Sequence, residues 1–150
     1  MNTRPVVLFL CTGNSCRSQM AEGLARTIHG DVLDARSAGI QAHGLNPRAV
    51  EVMQEIGIDI TSHTSDILLE ETIPEIDLVV TVCDHAHDTC PVLPAAQRVV
   101  HQPFEDPPRL AREAEDAGRE DEALGHYRRV REEIRTFIEH VLPDLMREDR

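Results

Sequence analysis

The run Cys11-Thr12-Gly13-Asn14-Ser15-Cys16-Arg17-Ser18 constrains this chain more than any other stretch. An apolar segment, Val6-Val7-Leu8-Phe9-Leu10, precedes it, and a helix-like segment from Gln19 to Ile28 follows. A strand, a glycine-bearing turn and a helix N-terminus in that order make an oxyanion site. Backbone N–H groups of the turn converge, and the helix dipole adds positive potential. Cys11 stands where that field is strongest, so its thiol is expected to ionise more easily than a free cysteine. Arg17 offers a planar fork suited to a tetrahedral anion. Ser18 can donate its hydroxyl to the thiolate. Thr12, Gly13, Asn14, Ser15, Cys16 and Arg17 form the expected anion loop, and the whole reads as a nucleophilic sulfur aimed at a phosphate-like ion.

The 150 residues suit one domain, able to bury about two-thirds of its unfolded surface. The formal charge of −12 argues against nucleic acid and anionic membranes as partners. It also means that an anionic substrate is held by local geometry against the global field. No apolar stretch reaches spanning length and the N-terminus lacks a signal-peptide pattern, so a cytoplasmic protein is expected. In that compartment four cysteines suit catalysis or metal binding better than structural disulfides.

Strands are expected at 5–11, 32–38, 77–83 and 98–101, and helices at 18–29, 47–56, 65–71, 108–117 and 120–142. Asn46-Pro47 marks a helix start, and Ser65 is read as the cap of the short helix. Leu124, Tyr127, Val130, Ile134, Phe137 and Val141 recur at helical spacing and give the last helix one apolar face. Alternating strands and helices imply a single α/β domain over residues 1–150. Its four-stranded parallel sheet would carry helices on both faces. Ligands bind at the carboxyl ends of such strands, and Cys11 and Cys83 both fall there.

Cys83-Asp84-His85-Ala86-His87-Asp88-Thr89-Cys90-Pro91 is the second cluster. Three chemistries compete for it. The cysteines can be buried packing residues beside solvated polar ones. Cys83, His85, His87 and Cys90 can ligate zinc, although the spacing fits no common zinc pattern and a helix would turn His85 away from the others. Cys83 and Cys90 can form a thiol relay, which the placement of Cys11 on the same rim favours.

The C-x5-R-S loop resembles that of the low-molecular-weight protein tyrosine phosphatase superfamily. Over about residues 5–142 the chain is similar to the superfamily's thioredoxin-coupled arsenate reductases. The matching stretches are Cys11–Ser18, Ala42-His43-Gly44 with Asn46-Pro47, His63-Thr64-Ser65-Asp66, Cys83 to Cys90-Pro91, and Phe104 to Pro107. That resemblance implies reduction of arsenate to arsenite as part of arsenic detoxification. Cys11 would be the nucleophile, Cys83 the first resolving thiol and Cys90 the second, with thioredoxin as electron donor. Arg17 and Ser18 would support anion and thiolate, and Asp106 would be the acid. It also implies a potassium ion held by oxygens of Asn14, Glu22, Ser37 and Asp66, no tightly bound cofactor, and a monomer. A Cys83–Cys90 bond needs Cα atoms within about 7 Å. A helix over 84–90 would hold them roughly 10 Å apart along its axis, so that segment is expected to unwind on oxidation.

The chain departs from the reductases at Gln102 and Pro103, where an aromatic and a glycine are common, and at Glu105, where an aspartate is. Two other functions stay in view. A tyrosine phosphatase would share the loop, but aromatics make up only 3% of the chain, and Pro108 stands where the phosphatases carry an aromatic. A non-catalytic metal- or arsenite-binding protein would use the thiols alone.

Overall fold

The computed structural model describes residues 4–83 and 98–148. β1 (Val6–Cys11) is central, with β2 (Asp34–Gly39) on one side and β3 (Leu78–Thr81) on the other. β4 (Val99–His101) lies beyond β3, and every pairing is parallel. All six β1 side chains are buried. Alternate residues of a strand face opposite sides of a sheet, so both faces are covered, as its unbroken apolar run requires.

α1 (Arg17–His29) packs on β1 and β2, and α2 (Pro47–Glu55) follows β2. α3 (Pro107–Asp116) and α4 (Ala123–His140) follow β4, with a 3-10 turn at Glu120–Glu122 between them. α4 packs against α1, α2 and α3 through buried Tyr127, Val130, Ile134, Phe137 and Ile138. The α2 start is as expected: the Asn46 side chain accepts from the N–H groups of Arg48 and Ala49, and Pro47 occupies the first turn.

Three expectations need correction. Residues 65–71 are not a helix. Gly39 N–H donates to Asp66 O and Leu68 N–H to Gly39 O, which draws the segment into a parallel bridge at Ile67; a 3-10 turn follows at Glu70–Glu75. Ser65 caps nothing there. Its hydroxyl donates to Gly13 O and accepts from Gly44 N–H. Second, Val141 is 42% exposed, whereas Ile138 and Leu142 are fully buried. The long helix ends at His140, and α5 (Leu142–Glu148) starts anew with Pro143 in its first turn. Third, the third strand stops at Thr81 rather than Cys83, although Val82 N–H still donates to Leu10 O and carries the chain on beside β1.

Candidate active site

The loop between β1 and α1 is moulded from outside by backbone. Ile40 N–H donates to Cys11 O (3.3 Å), Gln41 to Thr12 O (2.8 Å), His43 to Gly13 O (2.9 Å) and Asn46 to Ser15 O (3.0 Å). In a planar trans peptide the N–H points opposite to the C=O. Carbonyls drawn outward therefore turn the next amides inward. α1 leaves its own start open: its N-cap, Cys16, makes no side-chain cap, and no acidic residue lies in its first turn. That end is an uncompensated positive pole.

Asn14 is the pivot of the loop. Its φ of 47° makes it the sole non-glycine residue with positive φ among those described. Asparagine tolerates that region because its short amide bonds locally. Here Oδ1 accepts from Ser18 Oγ (2.9 Å) and Gln19 Nε2 (3.1 Å), and Nδ2 donates to Asp66 O (3.4 Å). The Ser18 hydroxyl thus donates to Asn14 rather than to Cys11, contrary to the sequence expectation. Two glycines admit the close approaches. A Cβ on Gly13 would stand 2.3 Å from His43 Nδ1, and one on Gly39 would stand 2.8 Å from Asn14 N and 2.9 Å from Thr12 O.

Arg17 closes the site. Its NH1 donates to Phe104 O (2.8 Å) and its NH2 lies 3.4 Å from Asp106 Oδ1. Its Nε is buried with no hydrogen-bond partner. A buried donor left unmade costs about 1–3 kcal/mol, and a bound anion would recover it. Phe104 is pinned by its N–H to Val82 O and by an edge-to-face contact with Phe137, ring centroids 6.1 Å apart. Glu105 pairs with Arg129 of α4 (2.8 Å). Arg17, Cys83, Pro103, Phe104, Glu105, Asp106 and Arg109 line a cavity of about 460 Å³.

Cys11 and Cys83 meet at this rim. Both are buried, as is Cys16. Thr12 Oγ1 lies 3.2 Å from Cys83 Sγ, and the Cys11 thiol is hydrogen-bonded with Cys83. The pairing reverses one expectation. The Cys83 contact and burial push the Cys11 thiol well above its ordinary value, and the pull of Arg17 and of the Thr12 backbone does not outweigh them. With Cys83 against it, Cys11 keeps its proton. Cys16 is pushed up as well, by burial first. It stays a thiol and packs in the core. Cys90, His85 and His87, and with them the second resolving thiol, the zinc alternative and the unwinding helix, lie outside the described residues.

Glu22, Ser37 and Asp66 line a second cavity of about 280 Å³, together with Arg26, Arg36, Ser62, His63 and Thr64. Ser37 Oγ donates to Glu22 Oε1 (2.6 Å). Glu22 also faces Arg26 (3.1 Å) and His63 (3.4 Å). Burial lowers the proton affinity of His63 more than Glu22 raises it. The donor set is hard oxygen, suited to an alkali cation. Asn14 is linked to it through the Nδ2 bond to Asp66 O, and the half-exposed Arg26 is paired with Glu22 there. Among the described residues no cluster of three His, Cys, Asp or Glu side chains could hold a metal ion.

A family model described as low molecular weight phosphotyrosine protein phosphatase matches residues 6–150. The chain belongs to that family. Among its relatives is an arsenate reductase of Halalkalibacterium halodurans, 50% identical over 140 residues, spanning 91% of this chain and 96% of that one. An arsenate reductase of Bacillus subtilis is 50% identical over 129 residues, spanning 86% and 88%. The fold does not divide the family by activity. A solved structure described as an arsenate reductase in the phosphate binding state superposes with a TM-score of 0.72, at 29% identity over 93% of this chain and 98% of that one. A low molecular weight protein tyrosine phosphatase of T. tengcongensis superposes with 0.71, at 30% identity over 93% and 99%.

Several residues that build this family site carried no sequence signal of their own. Gln19 is fully buried, and its Nε2 donates to Asn14 O, Asn14 Oδ1 and Thr64 O. Its Oε1 meets His63 Nδ1 at 3.0 Å. A glutamine directly after C-x5-R-S, at the start of the expected helix, was the available clue. His43, Ser65 and Phe104 act through contacts 30 or more residues away in sequence, which no local pattern encodes.

Proposed function

We propose that this protein reduces arsenate to arsenite by a thiol–disulfide relay through Cys11, Cys83 and Cys90. The observation that carries the reading is the contact of Cys83 with Cys11 at the mouth of an anion loop. A phosphatase needs one thiol and a water, whereas a reductase needs a second sulfur within reach of the first. The relatives named above as arsenate reductases support the same choice.

Arsenate enters the loop, where inward amides and the unpartnered Arg17 Nε receive its oxygens. Its approach displaces Cys83 from Cys11 and leaves Arg17 as the dominant influence on that sulfur. Cys11 Sγ forms a bond to arsenic and an arsenic–oxygen bond breaks. Asp106, beside Arg17, gives the leaving oxygen its proton, so that water departs. Cys83 Sγ then attacks Cys11 Sγ. The electron pair of the sulfur–arsenic bond passes to arsenic, As(V) becomes As(III), and arsenite leaves. Cys90 attacks Cys83 and frees Cys11, and the Cys83–Cys90 disulfide is reduced by the dithiol of thioredoxin. Ser18 acts through Asn14, holding the loop rather than the thiolate. A potassium ion at Glu22, Ser37, Asp66 and Asn14 would brace the same loop from behind. The relay needs a reducing compartment, which places it in the cytoplasm.

The test is arsenate-dependent NADPH oxidation in the presence of thioredoxin and thioredoxin reductase. Sustained oxidation is expected, abolished by Cys11→Ser, Cys83→Ser and Cys90→Ser alike. Full turnover in either resolving-thiol variant would sink the relay. Arsenite-dependent loss of titratable thiols without any turnover would favour a binding protein instead.

A further inference from the structure

Asp106 occupies the N-cap position of α3, with φ −88° and ψ 103°. An aspartate there ordinarily accepts from the N–H of the second or third helical residue. Such a bond would fix the carboxylate in its ionised form and turn it along its own helix, away from a substrate. Asp106 makes no such bond. Its carboxylate lies 3.4 Å from Arg17 and lines the active-site cavity. The first two helical residues are Pro107 and Pro108. Proline has no N–H, and the second position is one of the two that a capping side chain uses.

We propose that Pro108 is a positioning residue for Asp106: by deleting the N–H at the second position of α3, it removes one of the two donors a cap could use and favours the carboxylate turned to the cavity. This rests on Asp106 being the proton donor. Pro107 serves a different end, because the first helical N–H is not a capping donor, and its ring is buried. The other charged or titratable groups around Asp106 come from several elements. They are Arg17 of α1, Cys16 at its start and Cys83 after β3, with Glu105 and Arg109 on the flanking segment. Arg129 of α4 holds Glu105 aside. Replacing Pro108 alters none of them, so the returned N–H is the variable.

The full chain carrying Pro108→Ala is compared with wild type and with Pro107→Ala. The Asp106 side-chain carboxyl carbon is followed by NMR against pH, and arsenite formation is followed in a single turnover. Pro108→Ala is expected to lower the titration midpoint by about one unit, which reduces the protonated acid about tenfold above that midpoint and slows the chemical step accordingly. Pro107→Ala is expected to leave the midpoint in place. Pro108→Gly restores the same N–H and gives the same shift if the alanine variant folds poorly. An unchanged midpoint in both Pro108 variants overturns the proposal, while slowing by Asp106→Asn keeps the acid reading intact. A single-turnover rate unaffected by Asp106→Asn overturns the acid reading, and the carboxyl titration then still decides the role of Pro108.

Discussion

At the scale of residues, the site is governed by what Cys11 touches. A strand end facing a helix start makes Cys11–Ser18 read as a site with an easily ionised thiol, an expectation that the contact with Cys83 reverses. The proximity of Cys83 was half legible, because two predicted strand ends share a rim. Its effect was not, because a hydrogen bond between two sulfurs depends on placement to within an ångström. Removing the partner should therefore release the expected behaviour. Cys83 is the first cause holding the Cys11 proton. In Cys83→Ala, with arsenate absent, Cys11 should ionise at lower pH than in wild type. The rate of Cys11 alkylation by iodoacetamide against pH, with the modified peptide identified by mass spectrometry, measures this. Coincident wild-type and variant profiles would mean that burial alone holds the proton.

At the scale of elements, the strands, α1 and the Asn46-Pro47 start of α2 followed from local pattern. A continuous β-branched run and an N-cap pair are written in neighbouring residues. Residues 65–71 did not follow, because Ser65 can cap a helix in isolation. Here it is claimed by Gly13 and Gly44, and the backbone of its neighbours by Gly39. Gly39 is thus the joint between the edge strand, the loop and this segment. A Cβ there would meet Gln41 O at 2.4 Å, Asn14 N at 2.8 Å and Thr12 O at 2.9 Å, all backbone atoms. Gly39→Ala should destabilise the fold by roughly 1–3 kcal/mol, the usual range for overpacking. It should also lower arsenate affinity, since the strain falls on Thr12 and Asn14. Urea denaturation and equilibrium binding of arsenate to the Cys83→Ala form of each chain read the two effects separately.

At the scale of the whole molecule, a chain of net charge −12 takes up an anion, so its favourable field must be local. Cations near the loop then matter beyond their own contacts. Potassium is expected to raise the melting temperature more than sodium does. A ligand that binds only the native state contributes about 2.7 kcal/mol at a hundredfold excess over its Kd. Melting curves in potassium, sodium and a bulky organic cation at equal ionic strength make the comparison, and three superimposed curves would remove the ion from the account. In Glu22→Gln the preference for potassium should shrink. Domain count and fold class were legible from length and alternation alone. The grouping of Glu22, Ser37 and Asp66 around one cavity came only through the family resemblance, because it depends on how α1, β2 and the segment after α2 pack together.

Beside the Ser65 hydroxyl on Gly13 O, four main-chain N–H groups shape the anion loop from outside, those of Ile40, Gln41, His43 and Asn46. Their grip does not depend on which side chains those residues carry. Drift in the outer segment can therefore recolour the surface around the site, and alter what the surface repels or admits, without disturbing the geometry that receives the oxyanion. The single substitution barred at all four positions is proline, which has no hydrogen to give.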